Sequence, residues 1–138
     1  FSLIAFKGRL EVWEASLELF KNRIIGQGLA TTAVKMEEIV GQYLEIHNDP
    51  LQYLIEGGYL GFILYLIMWF NLFKISWRYR KNDDKLVKFI SLSAGAYTAG
   101  LFAWSFVDHV LNYSPMNFCF LFVLLALLIK RVNDLKEK

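Results

Sequence analysis

Three apolar runs limit what this chain can become. They cover about residues 59–73, 87–107 and 112–129. A helix rises ~1.5 Å per residue, so ~20 residues cross the ~30 Å hydrocarbon core of a bilayer. The runs predict three membrane helices. The first extends backwards through Tyr53–Ile55. The first and third are short in strict apolar length, and tilt with flanking aromatics supplies the rest. Composition agrees: the chain is 56% hydrophobic and 17% aromatic, with a mean hydropathy of +0.36. The apolar excess is concentrated in the runs, which favours a membrane protein over a soluble one. The expected fold is an all-α integral membrane protein, with three transmembrane helices preceded by an outward-facing helical loop region.

Lys and Arg set the orientation. Segment 74–88 holds Lys74, Arg78, Arg80, Lys81, Lys85 and Lys88, and the tail holds Lys130, Arg131, Lys136 and Lys138. The loop 108–115 between the last two runs holds none. The positive-inside rule makes 74–88 and the tail cytoplasmic. Residues 7–57 and 108–115 then face outward. The domain reading is residues 1–6 as the end of a truncated membrane segment, 7–57 as an extracytoplasmic loop region with amphipathic helices, and 58–138 as a three-span bundle. Earlier membrane helices of the same protein are expected as packing partners. A net charge of +2 gives no reason to expect a nucleic-acid partner. The single cysteine, Cys119, lies in an apolar run and reads as a small buried hydrophobe.

Upstream of the runs, residues 9–21 read as an amphipathic helix with Leu10, Trp13, Leu17 and Phe20 on its apolar face. Gly26-Gln27-Gly28 marks a turn. A second helix is expected over Val34–Leu44, interrupted at Gly41. A third starts at Asp49, with Asp49 as N-cap, Pro50 at the first helical position and Gln52 completing a capping box. Gly57-Gly58 is a candidate break in that helix. The second run carries Ser91, Ser93, Gly95, Ala96, Thr98, Ala99 and Gly100. Small residues let helix backbones approach closely, so this span is expected to be buried. The third run is rich in Leu and Phe and is expected to face lipid.

His47 is the first candidate for chemistry. A histidine can act as a neutral base near neutral pH, and the helix that begins just after it favours anions at its N-terminus. The alternative is a histidine that caps or packs the loop. Arg9 and Arg23 are outward arginines, and a guanidinium fork suits phosphate. Their plainer reading is a solvated or headgroup-bound charge. Gly26-Gln27-Gly28 reads as a simple turn more readily than as an anion nest. Asp108-His109, at the outer end of the second run, is a candidate to join the same site, and polarity at a helix end is the favoured reading. No metal-ligand spacing, P-loop or nucleophilic Ser or Cys motif is present.

The ordered set Gly8-Arg9…Trp13, Ile25-Gly26-Gln27-Gly28 and His47-Asn48…Leu51-Gln52…Glu56-Gly57-Gly58…Gly61 resembles the core of the O-antigen ligase and O-antigen polymerase family. The likeness covers about residues 7–70. One departure is Arg23, which stands where the family commonly has a proline, so it takes no role from that position. The resemblance implies a glycosyltransferase of the bacterial cytoplasmic (inner) membrane, with its active site facing outward. Its donor would be a glycan on undecaprenyl diphosphate. Its acceptor would be a sugar hydroxyl, on lipid A core for a ligase or on another carrier-linked glycan for a polymerase. No metal or other cofactor is implied. His47 matches the proposed base and Arg9 the arginine that holds the leaving diphosphate. Asn48, Gln52 and Arg23 are candidates for substrate binding. Glu56 is read as pairing with an outward arginine or facing water. The alternative function is a non-catalytic membrane component that binds or moves such lipids.

Overall fold

The computed structural model describes residues 3–20, 24–40, 45–113 and 115–137. Every regular element among them is helical: α1 (Leu3–Phe20), α2 (Thr31–Val40), α3 (Asp49–Trp77), α4 (Lys85–Trp104), α5 (Val110–Tyr113) and α6 (Pro115–Lys136). Helices α3, α4 and α6 are long and apolar enough to cross a membrane. The all-α membrane fold is therefore as the three runs predict. The interruption foreseen at Gly41 lies outside the described residues. The chain forms two compact units, Phe1–Leu66 with Ser105–Asp108, and Ile67–Trp104 with His109–Lys138. The boundary between them falls within α3.

In the first unit, α1 continues unbroken through the apolar opening and the amphipathic stretch. Its buried face is not the expected one. Leu10 and Leu17 are exposed, whereas Ser16 and Phe20 are buried. Phe20 joins Ile46 and Ile55 in a core, with Val12, Trp13, Ala15, Leu51 and Leu54 packed against it. Trp13 and Phe20 are thus the part of the apolar stripe that meets α3.

The cap of α3 falls one residue before the expected one. The Asn48 carboxamide oxygen accepts from the Leu51 N–H at 2.9 Å, and the Gln52 N–H donates to the Asn48 carbonyl at 3.0 Å. Asn48 is the N-cap, and Asp49 and Pro50 open the first turn, where a carboxylate suits the helix dipole. The helix then breaks at Gly58, with φ 67° and ψ −164°. That backbone conformation is essentially restricted to glycine. On a straight helix Tyr53 and Tyr65 would stand ~18 Å apart. Their rings instead stack with centroids 5.1 Å apart. So α3 is a short segment, 49–57, folded sharply against the start of a longer one. The membrane span proper runs over 59–77, ~28 Å at the helical rise.

In the second unit α4 packs on α6. Val87, Leu128 and Val132 form the core, with Tyr79 and Ile90 against it. The buried face of α4 is Val87, Ser91, Ala94, Gly95, Thr98 and Leu101. Of the small residues singled out, Ser91, Gly95 and Thr98 are buried, whereas Ala96, Ala99 and Gly100 are exposed. Ser76 on α3 bonds the Leu72 carbonyl at 2.7 Å and the Thr98 hydroxyl at 3.2 Å, and Ser91 donates to the Ser76 carbonyl. These bonds satisfy hydroxyls that lipid could not. The third span does not simply face lipid. Leu121, Leu125, Leu128 and Val132 are buried, while Phe120, Phe122, Val123 and Leu127 are exposed. Cys119 lies on the exposed side, contrary to the expectation of burial.

Asp84 starts α4. Its Oδ1 accepts from the Val87 N–H at 2.9 Å and its Oδ2 from Arg131 Nη2 at 2.8 Å. The Val87 hydrogen bond, followed by the Arg131 pair, holds the carboxyl below its ordinary pKa. A carboxylate depressed in the folded state contributes stability above its unfolded pKa, and that stability is lost as pH falls through the folded value. Asn caps a helix about as well as Asp but carries no charge. Asp84→Asn is therefore expected to melt at a lower temperature than wild type at pH 7. The gap should close as the pH drops below the carboxylate range. An exposed ion pair contributes little, so the shift is modest, and thermal melting in detergent across pH would measure it. A gap unchanged by acid would remove the charge from the explanation.

Candidate functional site

His47 lies in the link before α3, with a φ of 48°. A non-glycine residue in the left-handed region costs about 1–3 kcal/mol and persists only where its surroundings hold it. Both neighbours are held here. The buried Ile46 accepts the Trp13 indole N–H on its carbonyl at 2.8 Å. Asn48 is fixed by its cap and donates through Nδ2 to the Phe106 carbonyl at 3.0 Å.

The segment 105–108, which follows α4 in the chain, is tied down at each residue. The Ser105 carbonyl accepts the Asp49 N–H at 2.9 Å, and its hydroxyl lies 2.7 Å from the Tyr65 hydroxyl. Phe106 accepts from Asn48. The Val107 carbonyl accepts Arg9 Nη1 at 2.9 Å. Asp108 Oδ1 lies 3.1 Å from His47 Nδ1. Arg9 and His47 are therefore brought to adjacent residues of one short segment.

A carboxylate only accepts, so the Asp108 contact places a proton on Nδ1 and leaves the basic lone pair on Nε2. Glu45 Oε2 stands 3.9 Å from that nitrogen. The imidazole thus lies between two carboxylates. The His47 and Asp108 side chains are each 40% exposed, open enough to meet a bulky substrate. The first unit thus provides an imidazole oriented by a carboxylate and a guanidinium held nearby.

The Gly26-Gln27-Gly28 turn packs against the bend of α3. Gln27 N–H donates to the Ile55 carbonyl at 3.3 Å, Gly28 N–H to the Glu56 carbonyl at 3.0 Å, and Leu60 N–H to the Ile24 carbonyl at 3.1 Å. A bend leaves helix carbonyls without intrahelical partners, and the turn supplies them. The Gln27 and Gly28 N–H groups are engaged in this way, which leaves the anion-nest reading without them. Gly26 is required for contact: a Cβ there would overlap the Glu56 carbonyl. The Glu56 side chain is buried, and accepts from the Thr32 N–H at 3.3 Å and Gln52 Nε2 at 3.2 Å. It does not face water, and among the described residues it pairs with no arginine.

Of the sequence candidates, the fold gathers Arg9, His47 and Asn48 around segment 105–108 and sets Gln52 one turn into α3. Arg23 lies outside the described residues. Asp108 is the residue that sequence reasoning undervalued. It is 61 positions from His47, so no local spacing links them. The available signal was its place in a loop assigned to the same membrane side as His47.

Residues 2–66 match the family model described as O-antigen ligase. No curated protein and no solved structure matches the chain. The family implies a glycosyltransferase-like ligase in a membrane, acting on a lipid-linked glycan and an acceptor. Residues 2–66, the part of the chain that is similar to the O-antigen ligase family, supply the whole of this site apart from segment 105–108.

Proposed function

We propose that the chain carries the catalytic face of a membrane enzyme that transfers a glycan from undecaprenyl diphosphate to a sugar hydroxyl, of ligase or polymerase type. The site would face outward from the bacterial inner membrane, as the Lys and Arg distribution supports. The observation that carries the reading is His47, held in a strained conformation with Nδ1 on Asp108.

In the proposed reaction Nε2 of His47 takes the proton of the acceptor hydroxyl. The oxygen attacks the anomeric carbon as the bond to the diphosphate breaks. The electron pair leaves with undecaprenyl diphosphate, and attack opposite it inverts the anomeric centre. Charge grows on the leaving group as the base takes the proton, so a base and a cation are needed together. Arg9 would supply the cation. Val107 engages one of the five N–H donors of its guanidinium and fixes its place. Asp108 and Asn48 position His47, and Gln52 is the candidate to meet a sugar hydroxyl. The reaction is proposed to need no metal.

The test is transfer from an undecaprenyl-diphosphate-linked glycan to acceptor by the complete protein in proteoliposomes. Wild type is expected to form product in EDTA. Arg9→Gln is expected to lose about 10²–10³-fold in kcat, the loss typical when one donor to a developing anion is removed. Arg9→Lys should recover only part, since an ammonium lacks the planar fork. Product formation unchanged in Arg9→Gln would take Arg9 out of the mechanism. No product from wild type would refute glycosyl transfer.

A further inference from the structure

Three cations crowd the end of α3, far along the chain from the candidate site. Lys74, Arg78 and Arg80 line an open cavity of about 490 Å³ with Asn71, Ile75 and Trp77. No lining residue is acidic. Asp84, in the following turn, is engaged by Arg131. A helix C-terminus attracts cations, and Lys74 in the last turn answers that attraction. Three cations around one cavity exceed it, and they repel one another unless an anion lies among them.

Arg80 is held in place. Its guanidinium lies 5.1 Å from the Trp77 ring centroid, and Nη1 donates to the Trp77 carbonyl at 3.0 Å. The Arg78 guanidinium similarly lies 5.5 Å from the Tyr79 ring. Stacking of this kind pre-organises a guanidinium for phosphate. Along the same face of α3, toward the apolar middle of the span, Ile67 and Phe70 are 48% and 66% exposed. They stand at helical spacing from Lys74. The face therefore passes from apolar to cationic over two turns, at the end of a membrane helix.

We propose that this cavity binds the headgroup of an anionic phospholipid, with Lys74, Arg78 and Arg80 around the phosphate and the acyl chains along Ile67 and Phe70. Basic clusters beside membrane helices recognise anionic lipids by the same attraction. The site is independent of glycosyl transfer, so its failure would leave that reading untouched.

The test titrates the complete protein, purified in neutral detergent, with phosphatidylglycerol and counts bound lipid by native mass spectrometry. Phosphatidylcholine serves as the neutral lipid. Wild type is expected to retain phosphatidylglycerol and not phosphatidylcholine. Each of Lys74→Gln, Arg78→Gln and Arg80→Gln should weaken binding about fivefold, and the triple variant about a hundredfold. A control removes equal charge elsewhere, as Lys85→Gln, Lys88→Gln and Lys130→Gln together, all exposed in wild type. Retained binding in this control supports a defined site. Equal loss in both triple variants would overturn it in favour of diffuse attraction. Inorganic phosphate that displaced the lipid as well as a short-chain phosphatidylglycerol does would overturn the lipid assignment. Should the triple variant misfold, the three single variants decide the matter.

Discussion

Replacing His47 with Gln is expected to lower glycan transfer by about 10²–10⁴-fold, the usual contribution of a positioned general base. Glutamine keeps hydrogen-bonding capacity but cannot take a proton. Capture of the lipid-linked donor should therefore survive while product formation does not. His47→Asn belongs beside it, because asparagine tolerates the left-handed backbone that residue 47 adopts. If both variants lose product while the protein remains folded, strain relief is not the cause. A component that only binds or moves the lipid needs no base, so normal glycan display in a deletion strain carrying His47→Gln would favour that alternative. A lost polysaccharide ladder with single repeat units still attached to the lipid core would indicate a polymerase, and complete loss of attachment a ligase.

Asp108 sharpens the same expectation. A hydrogen bond to a charged group contributes about 1.5–3 kcal/mol, so Asp108→Asn should cost roughly 10–100-fold in kcat. Asp108 is proposed to act only through His47. The double variant His47→Gln with Asp108→Asn should then be no slower than His47→Gln alone, because residues acting as one unit are not additive. Multiplied losses would show that Asp108 does something of its own.

The parts of this protein that sequence shows well are those set by local pattern. Apolar runs of membrane length became α3, α4 and α6, and Ser91, Gly95 and Thr98 among the small residues of α4 joined its buried face. His47, Arg9 and Trp13 could be singled out from the order of residue types. Long-range folding determined the rest. Asp108 meets His47 across 61 positions, and no periodicity records such a pairing. Trp13 looked like one more residue of an apolar stripe, yet its indole N–H anchors the residue before His47. The cap fell on Asn48 and not on Asp49, because Asn48 alone could satisfy both the helix start and the Phe106 carbonyl. The glycine pair did signal a break. How sharply α3 folds there follows from φ at Gly58 and from the turn that fills the bend.

That turn supports the second large expectation, Gly26→Ala. A methyl group at residue 26 would sit on the Glu56 carbonyl, and backbone within a helix has little room to move. Overpacking of this kind costs about 1–3 kcal/mol. Here it also threatens the bonds from Gln27 and Gly28 to the Ile55 and Glu56 carbonyls, each worth about 0.5–1.5 kcal/mol. The expected result is a loss of roughly 2–5 kcal/mol, a large fraction of the ~5–15 kcal/mol that holds an ordinary domain folded. Thermal melting and the yield of protein extracted from membranes would measure it. Gly57→Ala is the contrasting control. Gly57 is helical and a Cβ there meets open space, so alanine should be neutral or slightly stabilising. The side chains of His47, Asp108 and Arg9 are unchanged in both variants. Any Gly26→Ala protein that does fold should retain much of its turnover per folded molecule. Normal melting in Gly26→Ala would show that the turn stands off the helix. An effect of Gly57→Ala equal to that of Gly26→Ala would instead mean that the bend tolerates no side chain anywhere, and that close approach at residue 26 is not its particular constraint.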